Sequence, residues 1–140
     1  MTSDEVRGRI ASVCASAPFR LTLSTTPFSF ELQPSGLSDQ VFRLESESAE
    51  VIGGFNYRED RFEVVTIWVA RKYAAQPEAA YRSLLADANS IRAAIIRDAC
   101  EQSGHYSVPD RGAGMSLNRD PGQSYGVLRL TVPVNYETTV

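Results

Sequence analysis

Arg61-Phe62-Glu63-Val64-Val65-Thr66-Ile67-Trp68-Val69-Ala70-Arg71-Lys72-Tyr73 is the stretch whose reading decides the fold. Taken with period two it is apolar on both faces, with Phe62, Val64, Trp68 and Ala70 on one and Val65, Ile67 and Val69 on the other. Aromatic and β-branched residues dominate it, which favours a strand over a helix. A strand of a one-sided antiparallel sheet alternates apolar with polar residues, so this one is expected to be covered twice.

The flanks supply one cover. From Pro77 the apolar positions Ala80, Leu84, Ala88, Ile91, Ile95 and Ala99 recur at spacings of three and four, and Gly104 follows as a C-terminal cap. This predicts one helix of roughly seven turns, Pro77 to Ser103. The β-branched row Val65, Ile67 and Val69 makes an even bed for it, which leaves Phe62, Val64 and Trp68 to face a neighbouring subunit or the N-terminal helix.

Upstream, Val41 to Glu47 alternates and reads as a strand, and AEVIGGFNYRED then links it to the central strand as the tip of an antiparallel hairpin. Hairpin tips are normally polar, whereas this one carries Val51, Ile52, Phe55 and Tyr57. Either the strands extend into it or it docks on a partner. Residues 2 to 17 read as a short amphipathic helix, with Thr2 and Glu5 at capping-box spacing and Val6, Ile10, Val13 and Ala17 as its stripe. Residues 19 to 40, broken by Pro27, Pro34 and Gly36, read as loop with one or two short edge strands. Downstream of the long helix come an interrupted strand, a Pro121-Gly122 turn and a final strand from Gly126 to Glu137, whose Pro133 places at least its end on an edge. The order predicts a single α+β domain over residues 1 to 140. It has a mostly antiparallel sheet of about four strands, with the long helix and the short N-terminal helix packed on one face.

A chain of 140 residues with 43% hydrophobic and 22% charged residues can bury one core. The net charge of -3 argues against an electrostatic grip on bare nucleic acid. Residues 1 to 60 carry 5 basic and 9 acidic side chains, and residues 61 to 140 carry 9 and 8, an asymmetry compatible with head-to-tail contacts between copies. No apolar run is long enough to span a bilayer, and MTSDEVRGRI lacks a signal-peptide core, so a cytoplasm-like compartment is expected. Cys14 and Cys100 read as reduced, packed thiols.

Gly122-Gln123-Ser124-Tyr125-Gly126 matches the G-x-S-x-G nucleophile elbow, yet a strand rather than a helix is expected after it. The sole histidine, His105, precedes the serine, contrary to the order of that fold. Arg111-Gly112-Ala113-Gly114 has no following helix start to present amides to a phosphate. His105 cannot form a zinc site with two distant cysteines, and Glu45, Glu47 and Glu50 read as a solvated rim. No catalytic, cofactor-binding or metal-binding residues are assigned, and an enzyme is not expected.

The chain resembles the tail terminator, or tail completion, proteins of long-tailed bacteriophages, small α+β proteins that cap the tail tube as a hexameric ring and join it to the head. The resemblance is carried by the N-terminal helix, the FRLESES and RFEVVTIWVARKY hairpin, the helix AAYRSLLADANSIRAAIIRDACEQSG and the closing GVLRLTVPVNYET strand. It implies a homo-oligomeric ring, a tail tube protein and a head-side connector protein as partners, and a place at the head-proximal end of the virion tail after assembly in the host cytoplasm. It implies no cofactor, no membrane and no sequence-specific nucleic acid. Phe55, Tyr57, Phe62, Val64 and Trp68 are the candidate subunit interface. The alternative is a monomeric or dimeric module that uses the open sheet face for a small ligand or single-stranded nucleic acid, with Tyr57, Trp68 and Tyr125 to stack bases.

Overall fold

A computed structural model describes residues 1–34, 36–73, 77–101, 106–110, 113–118 and 125–139. The expected cap Gly104, the Pro121-Gly122 turn, His105, Arg111, Gly112 and Ser124 lie outside them.

The fold is α+β. Helix α1 spans Ser3–Ala15 and helix α2 spans Pro77–Glu101. Among the described residues the strands in chain order are β1 (Thr22–Leu23), β2 (Val41–Phe55), β3 (Arg58–Lys72), β4 (Tyr106–Ser107), β5 (Gly114–Asn118) and β6 (Tyr125–Thr139). They form one sheet in the order β1-β2-β3-β6-β4, with β5 also pairing β6. Every pairing is antiparallel except β1 with β2. Where a sheet of about four strands is expected, the described residues form a mixed sheet of six. The strands beyond the expected four are very short or interrupted, and such pieces carry no periodicity to read.

The two helices share one face. Val6, Ile10 and Cys14 of α1 and Leu84, Ala88, Ile91, Ile95 and Ala99 of α2 pack in one core with Val65, Ile67 and Val69 of β3. Leu128, Leu130, Val132, Val134 and Tyr136 of β6 join them, as the alternation of that strand expects. Thr2 caps α1 by accepting from the Glu5 N–H at 3.2 Å. The third buried position of α1 is Cys14, not Val13, and the helix stops before Ala17. Burial pushes the Cys14 thiol up to about 12, with a smaller contribution from the Asp87 carboxylate. Cys100 is exposed, contrary to the expectation that both thiols are packed. Gly126 sits close beneath α2, since a Cβ there would meet Leu84 Cδ1 at 2.7 Å and Tyr73 Cε1 at 2.9 Å.

β3 pairs one side of β6 along its whole length. On the other side Pro133 lies at a local edge with no described partner, since β5 reaches only to Thr131 and β4 pairs only Asn135 and Tyr136, and the end of the strand beyond Tyr136 is likewise unpaired among the described residues. A residue without an N–H is tolerated at such an interruption of the ladder.

Candidate assembly surface

Two features of the sheet decide what is left for function: what covers the second face of β3, and where its hairpin ends.

The second face is covered over its Trp68 half by the chain itself. Phe28, Leu37, Val41, Trp68, Ala70, Tyr125 and Val127 form a second core, with Phe30 packed against it. Phe30 meets Trp68 edge-on, with centroids 5.1 Å apart and an interplanar angle of 71°. The Arg43 guanidinium lies over the Trp68 ring at 5.1 Å and the Phe28 ring at 5.7 Å. It donates to the Phe28 carbonyl at 2.7 Å and to Glu45 at 2.9 Å, and Glu45 also accepts from Trp68 Nε1 at 3.1 Å. The hydrogen bond from Arg43 is the main reason the Glu45 carboxyl is held below its ordinary value. Asn118 Nδ2 donates to the Phe30 carbonyl and the Tyr125 hydroxyl to that of Leu37, so the cover is tied to the sheet at Phe30 and at Leu37.

This corrects the assignment of Trp68 to a neighbour or to the N-terminal helix. Trp68 is 6% exposed against Phe28, Phe30 and Leu37, and α1 lies on the other face of the sheet. The signal was weak in the sequence because the alternation of Phe28, Phe30 and Leu32 is short and bounded by Pro27 and Pro34, and Leu37 lies beyond it. Phe62 and Val64 are half-buried on the uncovered remainder of this face, beside the paired residues Asn135 and Pro133. Thr66, fully buried at the boundary, has an Oγ1 with no hydrogen-bond partner.

The hairpin forms an arm. β2 and β3 are 15 residues each and run to the two-residue turn Asn56-Tyr57, so the strands extend through the apolar tip. Asn56 takes the left-handed conformation at φ 59, which asparagine tolerates well. Gly54, at φ 154, has no room for a side chain, because a Cβ would lie 2.5 Å from the Arg58 carbonyl oxygen. Every residue from Ala49 to Arg58 is exposed. Phe55 is 79% and Tyr57 78% exposed, and Val51 and Ile52 are more than half exposed. The tip borders an open hollow of about 640 Å³ that reaches Glu137 and Thr139 at the end of β6.

The root of the arm is built around a buried carboxylate. Glu63, 1% exposed, accepts from Ser3 Oγ at 2.7 Å, Ser46 Oγ at 2.7 Å and the Tyr136 hydroxyl at 3.0 Å. One side chain thus joins α1, β2, β3 and β6. Burial, then the hydrogen bond to Glu63, raises the Tyr136 hydroxyl above its ordinary value. The Met1 ammonium donates to the Glu137 carbonyl at 2.7 Å, holding the start of the chain on the same strand. A second network, Arg9 with Asp98 and the Tyr106 hydroxyl with Asp98 at 2.6 Å, fixes α1, α2 and β4 together.

Among the described residues no cluster of His, Cys, Asp and Glu could hold a metal ion, and no helix is long and apolar enough to cross a membrane. Tyr125 and Gly126, the described part of the G-x-S-x-G match, open strand β6 rather than a helix. Of the three aromatic residues proposed to stack bases, Trp68 and Tyr125 are buried by the chain's own loop. Neither a protein-family model nor a curated protein sequence matches the chain.

Proposed function

We propose that this chain is a structural assembly protein, a subunit that joins copies of itself into a ring and acts as a tail terminator. In that role it caps the phage tail tube, stops its growth and contributes to head–tail joining in the virion, with a tail tube protein and a head-side connector protein as its partners. The observation that carries the assembly reading is the arm. Phe55 and Tyr57 stand nearly fully exposed at the end of a hairpin whose root is locked by a buried carboxylate. A strand-paired arm held at its root has less conformational entropy to lose on docking than a free loop, and large aromatic residues are the side chains that most often anchor interfaces. The tail-terminator role rests on the resemblance in element order and strand character.

The test is molecular mass in solution by light scattering, with negative-stain imaging of any assembly. A concentration-dependent oligomer with ring-shaped particles is expected, and the paired substitutions Phe55→Ser and Tyr57→Ser should weaken association by about 2 kcal/mol or more, roughly thirtyfold. A strict monomer that binds single-stranded RNA at physiological salt would replace this reading with that of a binding module.

A further inference from the structure

Among the described residues β2 and β5 each have an unpaired edge, and the two suit each other. β1 holds the outer side of β2 only at Val41 and Phe42, so from Arg43 to Phe55 that edge has no partner strand among the described residues. On the other side, Gly114 to Leu117 of β5 pair β6 inward and no described strand outward. We propose that copies of this chain join head to tail by continuing the sheet, the free edge of β2 in one copy pairing antiparallel with the edge of β5 in the next; this rests on the reading of the chain as a self-assembling subunit.

Strand direction supports it. β2, β3, β6 and β5 alternate in direction, so the outermost two run opposite to each other. A copy related by rotation about an axis along the strands therefore presents β5 antiparallel to β2, with the helices of both copies on the same side. A regular run of equal length is available on each edge. The regular, uncapped run of β2 before its first bulge is Arg43–Ser46, four residues, and the free run of β5 is Gly114–Leu117, also four.

Charge selects this arrangement over a two-fold pair. Two β2 edges brought together would set Glu45 and Glu50 of one copy against the same acidic strand of the other, and like charges across a strand pair are destabilising. β5 carries no charged residue, and Arg129 stands cross-strand from its Ser116. Two β5 edges would leave the longer β2 edge unmet, whereas the head-to-tail arrangement uses both. Exposed apolar side chains lie along each edge, Val51 and Ile52 on β2 and Met115 on β5, as expected of strands that are covered on assembly. Keeping the faces aligned places the odd-numbered residues of β2 before its bulge beside even-numbered residues of β5, so Glu45 falls opposite Ser116 or Gly114.

The experiment is amide hydrogen exchange on the unaltered chain, dilute and concentrated, with light scattering on the same samples. Association should slow exchange at least tenfold in both Arg43–Ser46 and Gly114–Leu117. In a Cys100→Ser background, Glu45→Cys combined with Ser116→Cys or Gly114→Cys should give a ladder of disulfide-linked multimers. Within one copy the two positions are separated by β3 and β6, about 14 Å, too far for a disulfide. Oligomers that protect β2 alone, or that link position 45 to position 45, overturn the proposal in favour of a two-fold pair. Oligomers with neither segment protected overturn it while leaving assembly through the arm intact, and a chain that stays monomeric at millimolar concentration overturns assembly itself.

Discussion

Replacing Trp68 by alanine separates a core residue from a contact residue, because the two roles predict different measurements. Trp68 is 6% exposed and packs on Phe30, Arg43 and the second core. Truncating a buried tryptophan to alanine costs about 3–5 kcal/mol. Loss of the Nε1–H donor to Glu45 and of the Arg43 stacking falls within that range rather than adding to it, since Arg43 and Glu45 keep each other as partners at 2.9 Å. For a domain of this size each kcal/mol lowers the melting temperature by about 3–4 °C, so a drop of roughly 10–20 °C is expected. The assay is urea and thermal unfolding of Trp68→Ala followed by far-ultraviolet circular dichroism, with light scattering under native conditions. In the unaltered protein Trp68 is the only tryptophan, so its fluorescence should be blue-shifted when folded, resist quenching by acrylamide, and move to the red on unfolding. Trp68→Phe keeps the ring packing and should lose only about 1–2 kcal/mol. A Trp68→Ala protein within about 1 kcal/mol of the parent that no longer associates would refute the placement of Trp68 beneath the chain's own loop.

The carboxylate at the root of the arm gives another test. Glu63→Ala strands the hydroxyls of Ser3, Ser46 and Tyr136 and should cost about 3 kcal/mol in urea unfolding, while Glu63→Gln, which can still bond to all three, should cost about 1 kcal/mol. Equal losses for the two variants would show that hydrogen bonding is not what Glu63 contributes. Stability should also fall on acidification. Burial raises the Asp98 carboxyl, but its bonds from Arg9 and Tyr106 outweigh that and leave it below its ordinary value of 3.8. Glu45, through Arg43, is likewise held below 4.5. A depressed carboxyl contributes stability that is fully present above its ordinary value and is lost as pH drops through the lowered one. Unfolding free energy measured from pH 6 downward should therefore begin to decline near pH 4.5 and continue below 3.8, with a shallower decline in the double variant Glu45→Gln and Asp98→Asn; an unchanged slope would exclude these two groups as its source.

Periodicity made the long elements legible because they bury one regular row of side chains. Ala80, Leu84, Ala88, Ile91, Ile95 and Ala99 repeat at helical spacing and all are buried, and the alternation of β3 and β6 separates the residues of the first core from those of the second. The cover over Trp68 was not legible, since a loop can present Phe28, Phe30 and Leu37 at any spacing once tertiary hydrogen bonds hold its backbone. Glu63 was equally hidden. It lies on the helix-side row of β3 among Val65, Ile67 and Val69, and nothing local marks it as buried, because its donors come from 60 residues upstream, 17 upstream and 73 downstream. The apolar tip was the reverse case: Val51, Ile52, Phe55 and Tyr57 were conspicuous in the sequence, but only strand pairing showed that they continue the hairpin instead of folding back on it.

From the residues alone came a central strand with two apolar faces, a long helix for one of them and a hairpin with an apolar end, all consequences of side-chain type and spacing along a single element. Tertiary structure decided which part of the chain closes the second face and which surface stays open. Those outcomes depend on contacts between residues far apart in sequence, where neither period nor propensity acts. Arg43 reaching the Phe28 carbonyl and Tyr125 reaching Leu37 bring the irregular segment over Trp68, and among the described residues the arm and the outer edges of β2 and β5 stay open.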